Sequence, residues 1–164
     1  MHEVKHMNRK DREITDRQQI TDLLERCNTI RIGFRGEEYP YVVPVSFGFK
    51  VDEKNCTIYF HGAKKGLKAE QIKKYNKVCF ESDIFYRTDE LPHGITARYE
   101  SIIGFGKVQP IEGNELIEGL KEICAHYGRA DFDIERCRNL AATGVYKIEV
   151  DFITGKRNLP ADKL

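Results

Sequence analysis

The chain has 164 residues, 40% of them hydrophobic and 32% charged, with a formal net charge of +1. That suits one globular domain, and a nearly neutral chain has no global field to draw it to nucleic acid or a membrane. No apolar run approaches the roughly 20 residues of a spanning helix, and the opening MHEVKHMNRKDREITD lacks the apolar core of a secretory signal.

In chain order, residues 1–16 are charged and aperiodic and read as an arm. Its His2 and His6 carry no pattern. Asp16 is placed to cap a helix over residues 17–27, with Ile20, Leu23, Leu24 and Cys27 on one face. "TIRIGF" (29–34) alternates like a half-buried strand. After the turn "RGEEYP", "YVVPVSFGFKV" (41–51) reads as a second strand. Pro44 within it removes a backbone donor and marks an edge, a bulge or a ligand-facing break. "CTIYFHG" is a third strand. Residues 66–75 form a short amphipathic helix with Leu67 and Ile72 as its apolar contacts, and "KVCFESD" is a fourth strand. A loop with Pro92 and Gly94 covers 86–96, "RYESIIGFGKVQPI" (98–111) is a long strand, and 113–127 is a helix. An irregular stretch precedes the last strand, "GVYKIEVDFITGKR".

Short turns between neighbouring strands require antiparallel pairing. The first three strands have no helices between them, which excludes a doubly wound sheet. The expectation is a mainly β domain of six antiparallel strands, closed or nearly closed into a barrel that hides its edges. It spans 17–157, with an arm before it and a tail at 158–164.

Five scattered cysteines, none in a C-x-x-C pair, read as free thiols of a reducing cytoplasm. They match no zinc spacing, so no metal site is expected. The lysines after the Gly62 break have two readings. One is a phosphate cradle at a helix start, where free N–H groups and the helix dipole favour an anion. The other is a solvated helix face, which the continuing Lys73, Lys74 and Lys77 favour. His61 ends a strand just before the break; a hydrogen-bonded structural role competes with proton transfer. His126, at a helix end, is expected to cap carbonyls. Ser46 and Ser101 lack a nucleophile elbow and read as hydrogen-bonding groups. "GFGKVQ" lacks the third glycine and the following helix of a dinucleotide fingerprint. Aromatics are not interleaved with the lysines beyond Tyr75, which speaks against nucleic-acid binding.

Taken together, "VVPVSFGF" (42–49), "IYFHGAKKGLK" (58–68), "VCFESD" (78–83), "RYESIIGFGKV" (98–108) and "ITGKR" (153–157) resemble the pyridoxamine 5'-phosphate oxidase-related FMN-binding split-barrel proteins, and among them the nitroimidazole-resistance branch. The similarity covers about residues 9–157. It implies a homodimeric six-stranded split barrel with flavin at the subunit interface. It also implies FMN phosphate on Lys65 and Lys68, with Lys64 or Lys65 as a compensating point charge, and with backbone groups of His61, Gly62 and Ala63 near the flavin. Val43, Pro44, Val45 and Ser46 would lie along the ring, and Ser101 would approach from the second subunit. His61 would be the catalytic proton donor if the reaction needs one, or would line the pocket. The implied activity is FMN-dependent reduction of a small planar substrate such as a nitroaromatic, with NAD(P)H as electron donor. A non-catalytic flavin- or haem-binding module is the alternative, with His61 or His126 as haem ligand. Many relatives carry Gly-Arg-Lys where this chain has Gly66-Leu67-Lys68, which removes a planar fork for phosphate. Oxidation of pyridoxamine phosphate itself requires a second phosphate site. Arg98 and Arg157, the candidates for it, are isolated in the sequence.

Overall fold

The structure, a computed structural model, describes residues 7–137 and 140–160. His2, His6 and the outer parts of the expected arm and tail lie outside them. Eight strands form one antiparallel sheet: β1 (Glu13–Ile14), β2 (Ile30–Phe34), β3 (Tyr41–Val45), β4 (Phe47–Val51), β5 (Cys56–Ala63), β6 (Lys77–Leu91), β7 (Gly94–Ile111) and β8 (Thr143–Asn158). Three α-helices accompany it: α1 (Arg17–Arg26), α2 (Leu67–Lys74) and α3 (Gly113–His126). The strand order is β3-β2-β6-β7-β8-β5-β4, with β1 added to β8. The fold is thus mainly β, as expected.

The expected six strands become eight for two reasons. Residues 41–51 are two strands, broken at Ser46. β3 pairs with β2 at one end of the sheet, and β4 pairs with β5 at the other. Alternation of side chains continues through the break, so local pattern could not reveal that the chain changes neighbours there. The two ends of the sheet path are therefore joined through one residue, which curls the sheet around its core. No backbone pairing joins β3 to β4 among the described residues, so the sheet is open along this seam. Pro44 lies on the edge strand β3 opposite Arg31, where a missing N–H is tolerated.

The other added strand comes from the segment read as an arm. Glu13 and Ile14 pair with Lys156 and Gly155. Ile14 is buried, and a Cβ on Gly155 would fall 2.8 Å from its side chain, so the glycine makes room for the strand. The expected loop at 86–96 is also mostly strand. β6 and β7 continue to Leu91 and Gly94 and turn through Pro92 and His93.

Burial follows the period of two in β5. Ile58 and Phe60 face the main core with Phe47, Phe80, Ile102 and Ile148, while Tyr59 faces a second cluster under α3 with Ile111, Leu120, Ile123 and Val145. α1 starts as anticipated: Asp16 Oδ1 accepts from the Gln19 N–H at 2.8 Å. Its Leu23 and Leu24 cover one mouth of the core, at roughly 2 kcal/mol for each side chain buried. α3 lies directly on β4. A Cβ on Gly48 would collide with the backbone of Glu122 and Ile123, so the helix sits as close as it does only because Gly48 has no side chain.

Candidate functional site

The sheet end where β5 leaves the core carries the sequence-predicted site. Phe47 pairs with Phe60. Extending that register by one sets Ser46 beside His61, so 43–46 and 61–68 converge although they lie at different points of the chain. Pro44, Ser46 and His61 are exposed; Val43 and Val45 are half-buried.

From Ala63 the chain turns through Lys64, Lys65 and Gly66 into α2. Gly66 takes φ +100 as the N-cap, a left-handed value that L side chains resist. Its carbonyl accepts from Glu70 N–H at 3.1 Å, which starts the helix. The first-turn N–H groups are left without intrahelical partners and face the turn. Lys68 then folds back over Gly62. A Cβ at Gly62 would collide with Lys68 Nζ. The ammonium sits 5.5 Å from the Phe60 ring centre and 6.0 Å from that of Tyr146, within the reach of cation–π attraction. Those two rings stack at 5.2 Å, and Tyr146 Oη donates to the Ala63 carbonyl at 3.2 Å, fixing the strand end beneath the lysine.

Lys68 is half-buried and makes no ion pair or hydrogen bond among the described residues. Burial lowers its pKa from the ordinary value. The His61 pKa is also lowered, first by desolvation of the imidazole and second by the Lys68 ammonium. A partly dehydrated cation with no counter-charge, at a helix start, is poised to take an anion. This separates Lys68 from the solvated lysines further along α2. Lys74, for example, pairs with Glu37. Leu67, read as an apolar contact of the helix, is instead about half exposed, while Ile72 is buried as expected.

Other expected residues lie elsewhere. Across β8, His61 aligns with Val145 and then Ile111. Ser101 is ten residues along β7 from Ile111, roughly 30 Å of strand, so one chain does not bring it to this corner. His126 does bind carbonyl oxygen, but at the end of α1 rather than its own helix: Nε2 lies 2.8 Å from Cys27 O, with the ring 4.4 Å from that of Phe47. Arg98 is committed to Asp89 at 2.7 Å. Arg157 meets Arg9 and Arg12 around a small cavity that also holds Asp11 and Glu13. No three His, Cys, Asp or Glu side chains among the described residues converge to hold a metal ion, and no described helix is long and apolar enough to cross a membrane. Sequence reasoning missed Tyr146 and Phe60 as the floor under Lys68. Tyr146 arrives from the last strand, and nothing local announces it.

A larger cavity, about 870 Å3, opens on the outer face of β2, β6, β7 and β8. Its walls include Phe34, Ile103 and the stacked pair Phe105 and Phe152, whose ring centres lie 6.2 Å apart. Ile103 and Phe105 are nearly half exposed.

The family model described as pyridoxamine 5'-phosphate oxidase matches residues 16–157. A solved structure from Bacteroides thetaiotaomicron, provisionally described as a 5-nitroimidazole antibiotic resistance protein, is 30% identical. The match covers 88% of this chain and 85% of that one, with a TM-score of 0.77. The flavocytochrome Anf3 of Azotobacter vinelandii has a TM-score of 0.76 at 15% identity, over 94% of this chain and 73% of its own. An FAD- and haem-binding protein of Mycobacterium smegmatis has 0.71 at 18%, over 93% and 78%. At those identities the last two show a shared fold. No curated protein matches the sequence.

Proposed function

The chain belongs to the pyridoxamine 5'-phosphate oxidase family, and from that premise we propose that it is an FMN-binding oxidoreductase of the nitroimidazole-resistance type. Its substrate is a small planar molecule such as a nitroaromatic, reduced at the expense of NAD(P)H. The observation that carries this reading is Lys68, a half-buried ammonium without a counter-charge, seated over Gly62 at the start of α2. The names of structural neighbours that bind flavin agree with it.

In this reading Lys68 and Lys65 hold the phosphate, helped by Lys64 and the first-turn N–H groups of α2. The Leu67 side chain offers nothing to an anion, so the turn and Lys68 take over what arginine does in relatives. Backbone groups of His61, Gly62 and Ala63 and the edge formed by Val43, Pro44, Val45 and Ser46 face the ring. Bound flavin supplies the hydride and electron chemistry; the protein supplies position and electrostatics. His61 is neutral at pH 7 while the corner is empty of anions, because its pKa is lowered. A phosphate beside Lys68 offsets the ammonium, the smaller cause of that lowering, while desolvation, the larger cause, remains. A second copy covers the apolar face of Ile103, Phe105 and Phe152 and brings its Ser101 toward the flavin. The unpaired cysteines suit a reducing cytoplasm.

The test is the visible spectrum of the purified protein with and without added FMN, with its solution mass. The expected result is a perturbed flavin spectrum on a dimer, bleached by NADH or NADPH and restored by a nitro compound. A protein with no chromophore that leaves the FMN spectrum unchanged would refute the proposal. The alternative, a non-catalytic flavin or haem module, draws on the two haem-linked folds. His61 would be its ligand, since His126 already engages the Cys27 carbonyl. A haem spectrum, or bound flavin that NAD(P)H does not bleach, would favour it.

A further inference from the structure

Two glycines lie side by side at the phosphate corner. Gly62 of β5 pairs with Gly144 of β8. Residues directly opposite on paired strands project to the same face, with Cβ positions about 5 Å apart. At each glycine a polar group from elsewhere fills the space of the missing side chain. A Cβ at Gly62 would fall 2.1 Å from Lys68 Nζ, and one at Gly144 would fall 2.8 Å from Tyr146 Oη. The ammonium and the hydroxyl thus enter one notch from two sides.

The hydroxyl is engaged there and the ammonium is not. Tyr146 is buried, and its Oη donates to the Ala63 carbonyl at 3.2 Å. Burial raises the pKa of this phenol, so the group stays a donor at neutral pH. Lys68, seated over the residue before Ala63, has no acceptor among the described residues. With the hydroxyl gone, the Ala63 carbonyl would be open to that ammonium, whose charge-assisted bond is stronger than one from a neutral donor.

We propose that Tyr146 is a positioning residue that keeps Lys68 uncommitted. By filling the Ala63 acceptor, its hydroxyl stops the backbone from satisfying the ammonium and leaves that charge for an incoming anion. Phe60, stacked on the Tyr146 ring at 5.2 Å, holds the hydroxyl in line. Gly144 is the space that lets it reach. The benefit to phosphate rests on the FMN reading above; the effect on Lys68 does not.

Tyr146→Phe keeps the ring and removes the donor. Lysine ε-methylene signals followed by NMR in the flavin-free protein, with Lys68 assigned by its loss in Lys68→Met, give the first readout. Lys68 should titrate at higher pH in Tyr146→Phe than in the parent, because a carbonyl that accepts from the ammonium stabilises its charged form. FMN should bind Tyr146→Phe about tenfold more weakly, and riboflavin as before. In the Lys68→Met background the same substitution should leave FMN affinity unchanged, since no ammonium remains to be captured. An unshifted Lys68 titration, equal weakening of FMN and riboflavin, or the same tenfold loss without Lys68 would overturn the proposal. A parent protein that ignores FMN would count against the proposed function instead, and the flavin-free titration would still decide the role of Tyr146.

Discussion

Replacing Lys68 with methionine separates a ligand-holding cation from a structural one. Methionine keeps much of the length of the stem and can rest its sulfur on the Phe60 and Tyr146 rings that now lie 5.5 and 6.0 Å from the ammonium. What is removed is a half-buried charge with no protein partner. Two small terms then oppose each other in the free protein. Loss of the cation–π attraction costs about 1 kcal/mol, while relief of the desolvation that lowers the lysine pKa works the other way. Stability should stay within about 1 kcal/mol of the parent. Binding should not be so balanced. A charge-assisted bond to phosphate contributes roughly 1.5–3 kcal/mol, which at 1.4 kcal/mol per decade is a loss of roughly 10- to 100-fold in FMN affinity. Riboflavin has the ring and lacks the phosphate, so its affinity should not change. Parallel titrations of FMN and riboflavin against both proteins, with thermal melts, decide the matter. Equal weakening of the two flavins, or FMN affinity untouched by the substitution, refutes the assignment of Lys68 to phosphate.

Gly48→Ala drives a methyl group into the α3 backbone at Glu122 and Ile123, where nothing flexible can yield. It should cost about 3 kcal/mol and lower the melting temperature by roughly 6–12 °C, measured calorimetrically; an unchanged melt would show that α3 rides further from β4. The His61 pKa lies below its ordinary 6.5 when folded, so the unfolded chain holds that proton more tightly. Its contribution to stability is complete above pH 6.5 and is lost as pH falls through the folded value. Imidazole resonances followed by NMR should titrate below 6.5; a His61 resonance titrating at or above 6.5 would show that the ring is not desolvated. Desolvation raises the Cys56 thiol to about 11, so maleimide at pH 8 should label exposed Cys137 well before Cys56, as read by peptide mass mapping; comparable labelling would mean that the β4–β5 end opens readily.

Much of the scaffold was legible because it follows local chemistry. Asp16 caps α1, and β2 and β7 alternate as half-buried strands should. What escaped depends on distant partners. The break at Ser46 sits inside an unbroken β pattern and exists because β3 and β4 find different neighbours. Residues 86–96 are exposed on a protruding hairpin, so they carry no buried face for alternation to mark. The two-residue β1 is held by the space above Gly155, which no sequence window around Glu13 contains. The lysine cluster was visible, but only packing against Gly62 and two aromatic rings distinguishes Lys68 from its solvated neighbours.

The position of β8 has a consequence for the order in which the molecule can be made. This strand links β7 on one side to β5 on the other, and it is the last of the described strands to leave the ribosome. Until it emerges, the β4–β5 hairpin and the β2–β3–β6–β7 group share no strand pairing and are tethered through Ser46 at one end and α2 at the other, each with raw backbone along the border that β8 will occupy. Completion therefore waits for β8, like an arch waiting for its keystone. Nascent chains halted before Thr143 should expose sticky strand edges to chaperones rather than accumulate a finished half.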